Sequence, residues 1–335
     1  MSVVLVAGAG AVGVRAARQL VETPGVEKVV VAERRGHRGE AVARALGDRG
    51  EALRWRAGDP LPDGLDVVVS ALPTPADVRA LSQAVEAGVP AVSSADDHRG
   101  LEQLLGLDGA ARAAGVGVLV GCGLAPGLAD VLARHAAGAL DEVDEVHVAR
   151  CGAAGRASVA AVERALHERP VDWVEGGWRT GRRPTRELVW FPDPVGAQEC
   201  ATTPDGVALL VRAFPGLARA SVRLGEPPRS SRWRRPGARR HHDESSWGAV
   251  RVEVWGRRGT AREVVVYGVI ERTAVAAGTV LAVAAATLAG LVPGAGPGLA
   301  PGVHGLAEAV APVPFLAELS HRGVKAAVFE GVGVH

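Results

Sequence analysis

Lysine is almost missing from this chain: only Lys28 and Lys325 stand among its 38 basic residues, and every other one is Arg. Chemistry that needs a lysine Schiff base or a phosphate-gripping lysine is therefore disfavoured. Cysteine is scarce as well, with Cys122, Cys151 and Cys200 scattered and no CxxC pair. That spacing argues against a structural zinc site or a disulfide framework, so no metal is expected, and a reducing, cytoplasmic setting is. Excess charge of one sign is missing too: the formal net charge is +1, which gives no global pull towards nucleic acid or anionic membrane. The opening residues MSVVLVAGAG lack the basic start of a signal peptide and place glycines where its apolar stretch would continue, so no export signal is expected.

Long apolar runs are absent with one exception, Thr273 to Val292. Its length approaches that of a bilayer span, but it is built from Ala and Gly and ends in a Pro/Gly turn with no basic cluster, so it reads as a buried helix rather than a membrane segment. What remains is ordinary globular composition, 47% hydrophobic and 22% charged over 335 residues, enough for about two domains.

Through the first 125 residues, short apolar runs alternate with helical patterns. Strands are predicted at Val3–Val6, Val29–Ala32, Leu65–Ser70, Val89–Ser93 and Val116–Val120, with helices between them, including one over Gly100–Ala114. Such alternation predicts an α/β fold with a doubly wound parallel sheet. From Pro126 the pattern changes to an amphipathic helix, an alternating run at Val143–Ala149, and later strand-like runs at Glu187–Phe191, Arg251–Gly256 and Glu263–Ile270. These predict an inserted α+β domain over 126–270, with an antiparallel sheet that leaves one face exposed. Residues 271–335 then form a helical return to the first domain, 1–125. The segment 226–246, rich in Arg, Pro and Ser, reads as an exposed loop or as a lid over an acidic substrate.

One motif carries direct chemical meaning. Gly8-Ala9-Gly10-Ala11-Val12-Gly13 matches G-x-G-x-x-G, directly after a strand and at the start of a helix. In that context Gly8 serves a tight turn, Gly10 lets a pyrophosphate approach the backbone, and Gly13 allows the helix to pack on the sheet. Twenty residues beyond Gly13, Glu33 ends the second strand, where a carboxylate accepts hydrogen bonds from the adenine ribose. NAD or NADP is the expected cofactor, although FAD uses the same opening. Glu33 favours NAD, whereas the adjacent Arg34 and Arg35 can neutralise a 2′-phosphate. Ser70-Ala71-Leu72-Pro73, at the C-terminal end of a strand, is the second expected cofactor contact.

Beyond this turn, the sequence resembles the saccharopine dehydrogenase-like family of NAD(P)-dependent oxidoreductases. The resemblance rests on VVLVAGAGAVG, on Gly121-Cys122-Gly123-Leu124-Ala125-Pro126-Gly127 with the helix that follows, on Phe191–Gly196 and on Pro301–Glu308. It implies a Rossmann domain with an inserted domain that binds a small-molecule substrate, a homodimer, and hydride transfer at a C–N bond of an amino-acid-like substrate. Reduction of an enoyl or carbonyl bond, and a non-catalytic nucleotide-binding sensor or scaffold, stay open beside it.

Active-site candidates follow from where a parallel sheet places its ligands, beyond the strand C-termini. Asp96, Asp97 and His98 follow one strand and can relay a proton or cap a helix. Cys122 follows the next strand, as packing or as a reactive thiol. Arg150 can grip a substrate carboxylate and Glu199 a substrate amine, while His147 and His304 read as structural.

Overall fold

Valine builds the first sheet. Runs such as VVLV and VVVS have no polar alternation, as strands buried on both faces require. A computed structural model describes residues 2–225, 247–296 and 299–329, so the loop 226–246 lies outside the described residues. The chain begins Ser2–Ala7 (β1), Ala11–Val21 (α1), Val26–Glu33 (β2), Gly36–Ala45 (α2), Gly50–Arg54 (β3) and Val67–Ser70 (β4). It continues Ala76–Glu86 (α3), Ala91–Ser93 (β5), His98–Leu105 (α4), Asp108–Ala114 (α5), Gly117–Val120 (β6) and Leu128–Ala137 (α6). The middle comprises Glu142–Cys151 (β7), Arg156–Ala165 (α7), Val171–Val174 (β8), Gly177–Thr180 (β9), Arg186–Trp190 (β10), Ala197–Thr203 (β11), Val207–Ala213 (α8), Arg219–Gly225 (β12), Trp247–Arg258 (β13) and Ala261–Arg272 (β14). The end is Thr273–Leu288 (α9), Gly302–Gly305 (β15), Leu306–Ala309 (α10), Pro312–His321 (α11) and Ala326–Phe329 (β16).

Two compact units result, Met1–Val131 with Ala276–Val324, and Leu132–Val275 with Lys325–His335. The first unit holds an all-parallel sheet in the order β3-β2-β1-β4-β5-β6-β15. This is a doubly wound Rossmann-type sheet, whose order reverses between β1 and β4 and so opens a crevice beyond their C-termini. The predicted helix over Gly100–Ala114 is in fact two, α4 and α5, broken at Gly106 and Leu107. The break places Asp108 so that its carboxylate accepts the Val303 amide of β15 at 2.9 Å.

The return segment brings a strand, β15, as well as helices. Helix α9 is the Ala-rich run, and its residues from Val280 to Ala286 are all buried. Small residues let it approach α1: a Cβ on Gly278 would lie 2.7 Å from the Val12 carbonyl oxygen and 2.6 Å from Arg15 Cβ. Among the described residues no helix is long and apolar enough to cross a membrane.

The second unit is a mixed sheet in the order β10-β11-β12-β7-β13-β14-β16, with β8 on β12 and β9 on β8. The pairing is antiparallel except between β12 and β7, which run parallel. One face is apolar, with Val146, Val148, Val222, Val252 and Val254 buried, and Val162 and Ala165 of α7 pack there on Leu224. The opposite face shows the alternate residues of the same strands, among them Glu145, His147, Arg223, Arg251, Glu253 and Trp255, around a cavity of about 450 Å³. Alternation along β7 and β13 thus does produce one buried and one open face.

Candidate cofactor and active site

The glycine turn between β1 and α1 is shaped by sterics. Gly8 has φ +99°, and a Cβ there would lie 3.0 Å from the Ala71 carbonyl oxygen and 3.1 Å from Leu72. Gly13 is forced more severely, since its Cβ would fall 1.8 Å from the Gly8 carbonyl oxygen. Gly10 differs: nothing lies within 4 Å of a Cβ built there, so this residue faces an open cradle. As the N-cap of α1 it makes no side-chain cap, which leaves the amides of the first turn, Ala11, Val12 and Gly13, for an anion.

Hydrogen bonds fix this turn on both sides. Gly8 N donates to the Ala32 carbonyl and Ala71 N to the Ala7 carbonyl, each at 2.9 Å, so the ends of β2, β1 and β4 are locked together. Glu33 joins them: its carboxylate accepts Ala9 N–H at 3.1 Å and Arg35 N–H at 3.2 Å. The carboxylate is thereby held beside the turn with acceptor capacity left for ribose hydroxyls. Arg34 and Arg35 are exposed next to it. Ala71 and Leu72 are half-buried and Pro73 is exposed, on the opposite wall of the same crevice. An open cradle, an uncapped helix start and a fixed carboxylate fit a dinucleotide.

The loop after β5 divides its acids by role. Asp97 is the N-cap of α4, accepting Gly100 N–H at 2.8 Å and the Thr74 hydroxyl at 2.6 Å. His98 pairs with Glu102 at 3.3 Å, and Asp96 and His98 are both half-buried. The loop after β6 is sealed: Cys122 is fully buried and donates its amide to the Ser93 carbonyl at 2.8 Å. Burial first, then the nearby Asp130 and Asp77, hold the Cys122 thiol well above its usual range, so it stays neutral.

Two acids here were not among the sequence candidates. Asp77 of α3 and Asp130 of α6 are buried, and burial pushes each up to about 7. The Ser93 hydroxyl bonded to Asp77, the Ser70 hydroxyl near it, and the Gly127 amide bonded to Asp130 oppose that shift without cancelling it. A signal for Asp77 exists in the sequence, because it shares the stripe of Ala80, Leu81, Ala84 and Val85, the buried face of α3.

In the second unit, Arg150 is buried and its guanidinium lies 3.7 Å from the equally buried Asp205 carboxylate. Glu199 is exposed on β11 and pairs with Arg186 at 2.5 Å, whereas Arg150 is buried. His147 meets Ser221 at 2.8 Å and Glu145 at 3.1 Å on the open face, and His304 meets the Ala300 carbonyl at 3.0 Å. No group of three or more metal-ligating side chains gathers among the described residues.

No family model matches the chain. Solved structures do. Saccharopine dehydrogenase (L-Glu forming) from Saccharomyces cerevisiae superposes with a TM-score of 0.70 at 13% identity, over 98% of this chain and 100% of that one. An amine dehydrogenase from Mycobacterium smegmatis gives 0.54 at 13% identity, over 92% and 96%. DAP dehydrogenase of C. glutamicum, solved with DAP, gives 0.53 at 17% identity, over 96% and 99%. At such identities the likeness shows a shared fold, the one that the family resemblance implies.

Proposed function

We propose that the chain is an NAD- or NADP-dependent oxidoreductase acting at a C–N bond of a small amino-acid-like substrate. One observation carries the cofactor: Gly10 faces an open cradle at an uncapped helix start, 23 positions before a carboxylate fixed to the Ala9 amide. The amides of Ala11, Val12 and Gly13 hold the pyrophosphate, and Glu33 holds the adenine ribose. Ala71, Leu72 and Pro73 line the opposite wall, towards the nicotinamide end. The bound nicotinamide supplies or accepts the hydride. Asp97 is committed to capping α4, so proton transfer to the substrate nitrogen is assigned to Asp96 or His98 on the same loop. The C–N class is supported by the names of the like-folded proteins, an amine dehydrogenase among them.

The proposal includes a homodimer in a cytoplasmic setting, which sedimentation and fractionation check. The decisive experiment titrates purified protein with NADH and NADPH by nicotinamide fluorescence, then adds paired amines and keto acids. Binding of one nucleotide with amine-dependent oxidation supports the reading. Failure of both nucleotides to bind overturns it, and binding without turnover of any pair selects a silent sensor.

A further inference from the structure

Beneath the loops that follow β4 and β5 lies a carboxyl group with no part in that reading. Asp77 is 0% exposed, and its Oδ2 accepts the Ser93 hydroxyl at 2.6 Å. Ser93 Oγ in turn accepts the Ala95 amide at 2.9 Å, so the carboxyl holds the first bend of the loop that carries Asp96, Asp97 and His98. The Ser70 hydroxyl, at the end of β4, also lies near this carboxyl. Ser70 Oγ and Asp77 Oδ1 are both buried, and neither has a hydrogen bond of good geometry.

The titratable groups around Asp77 are acidic. Asp96 and Asp97 face it from the loop after β5, Cys122 lies near it from the loop after β6, and Asp130 acts on the same thiol from α6. No cation is among the groups that act on Asp77. The start of α3 favours an anion there, but its partial charge is small against the cost of a sealed, uncompensated carboxylate. A proton on Oδ1 removes that charge and offers Ser70 Oγ a donor.

We propose that Asp77 is a positioning residue that works in its protonated form: Oδ2 holds Ser93, Oδ1–H is donated to Ser70, and the ends of β4 and β5 are tied together. The loops so spaced, Ser70–Pro73 and Ser94–His98, are those assigned above to the nicotinamide end and to proton transfer, so the inference rests on that function. Burial, together with Asp97 and Asp96, raises this carboxyl to about 7, against the opposing pull of the two serines. The strut is therefore intact below neutrality and loses its proton as pH rises through about 7. The resulting buried anion loosens both loops, and nucleotide affinity falls.

The test compares the full chain with Asp77→Asn, whose amide can accept from Ser93 and donate to Ser70 at every pH. Infrared spectra at pH 6 read the C=O band of protonated carboxyl groups, and fluorescence titration reads NADH affinity from pH 6 to 9. The expected result is a protonated-carboxyl band that Asp77→Asn weakens by one carboxyl, Asp130 keeping its own, and an affinity that drops about tenfold in the wild type but stays level in the variant. A band that Asp77→Asn leaves unchanged overturns the proposal, as does a variant that follows the wild-type pH curve. Should Asp77→Asn not fold, Asp130→Asn leaves Asp77 as the buried carboxyl of this cluster. Its band must then disappear in step with NADH affinity, and a band that persists to pH 9 overturns the proposal. If NADH binds at no pH while the Asp77 band is present, the cofactor reading fails and the protonated strut stands.

Discussion

Glu145, on the open face of the mixed sheet, takes Arg262 at 2.7 Å and His147 at 3.1 Å, whereas Asp77 and Asp130, sealed under strand ends of the parallel sheet, have no cation among the groups that act on them. On the open face the charges neutralise one another in solvent: Arg251 pairs with Glu253 at 2.6 Å and Arg223 with Glu187 at 2.5 Å. At the strand ends burial favours the protonated carboxyl instead. The contrast follows from hydration. An exposed ion pair replaces water at little gain, while a buried carboxyl group pays the full desolvation cost of its charge unless it stays neutral.

The sharpest way to break this contrast is through backbone packing at the strand ends. Gly13→Val places a Cβ 1.8 Å from the Gly8 carbonyl oxygen, and a loss of more than about 4 kcal/mol is expected, enough to prevent folding. Recovery of a soluble protein with an unchanged thermal midpoint would show that the turn is built differently.

Next in size is the pH dependence of stability. Asp130 has a folded-state value of about 7 against an ordinary 3.8, so between about pH 4 and 7 the folded chain binds the extra proton. Stability contributed by this group is full below pH 4, falls as pH rises to about 7, and is level beyond. In urea unfolding, Asp130→Asn should therefore gain on the wild type by up to about 4 kcal/mol across that window. A difference that shrinks with rising pH has the wrong sign for a buried, protonated acid.

A third comparison separates binding from folding within one turn. Gly10→Ala adds a Cβ that meets no atom within 4 Å, so the thermal midpoint should move little, while NADH affinity falls about a hundredfold, or about 2.7 kcal/mol. Wild-type affinity in that variant would empty the cradle of its proposed role. The smallest effect belongs to the open face. Glu145→Gln removes a pair that includes the exposed Arg262, and a stability change below about 1 kcal/mol is expected, shrinking as salt is added. A larger loss would mean that this face is not solvated.

Much of the parallel sheet was legible because burial on both faces leaves a mark in the sequence, as in the valine runs of β1, β2 and β4. The glycine turn was legible for a related reason: Gly8 and Gly13 stand where no other side chain fits. The break between α4 and α5 was not, since it answers to β15, nearly 200 residues away, through the Asp108 to Val303 hydrogen bond. Asp97 carried a double reading, cap or acid, and the 2.8 Å bond from the Gly100 amide shows the cap. Asp77 escaped because an acid in the first turn of a helix ordinarily faces solvent, and only its place on the stripe of Ala80, Leu81 and Ala84 hinted otherwise.

The sequence by itself determined the alternation of strands and helices, the phosphate-sized turn and the acid at the end of β2, because each depends on neighbours within a few dozen residues. Tertiary structure decided which acids keep their charge. Desolvation depends on what the rest of the chain stacks over a side chain, which the helical stripe around Asp77 hints at but cannot fix.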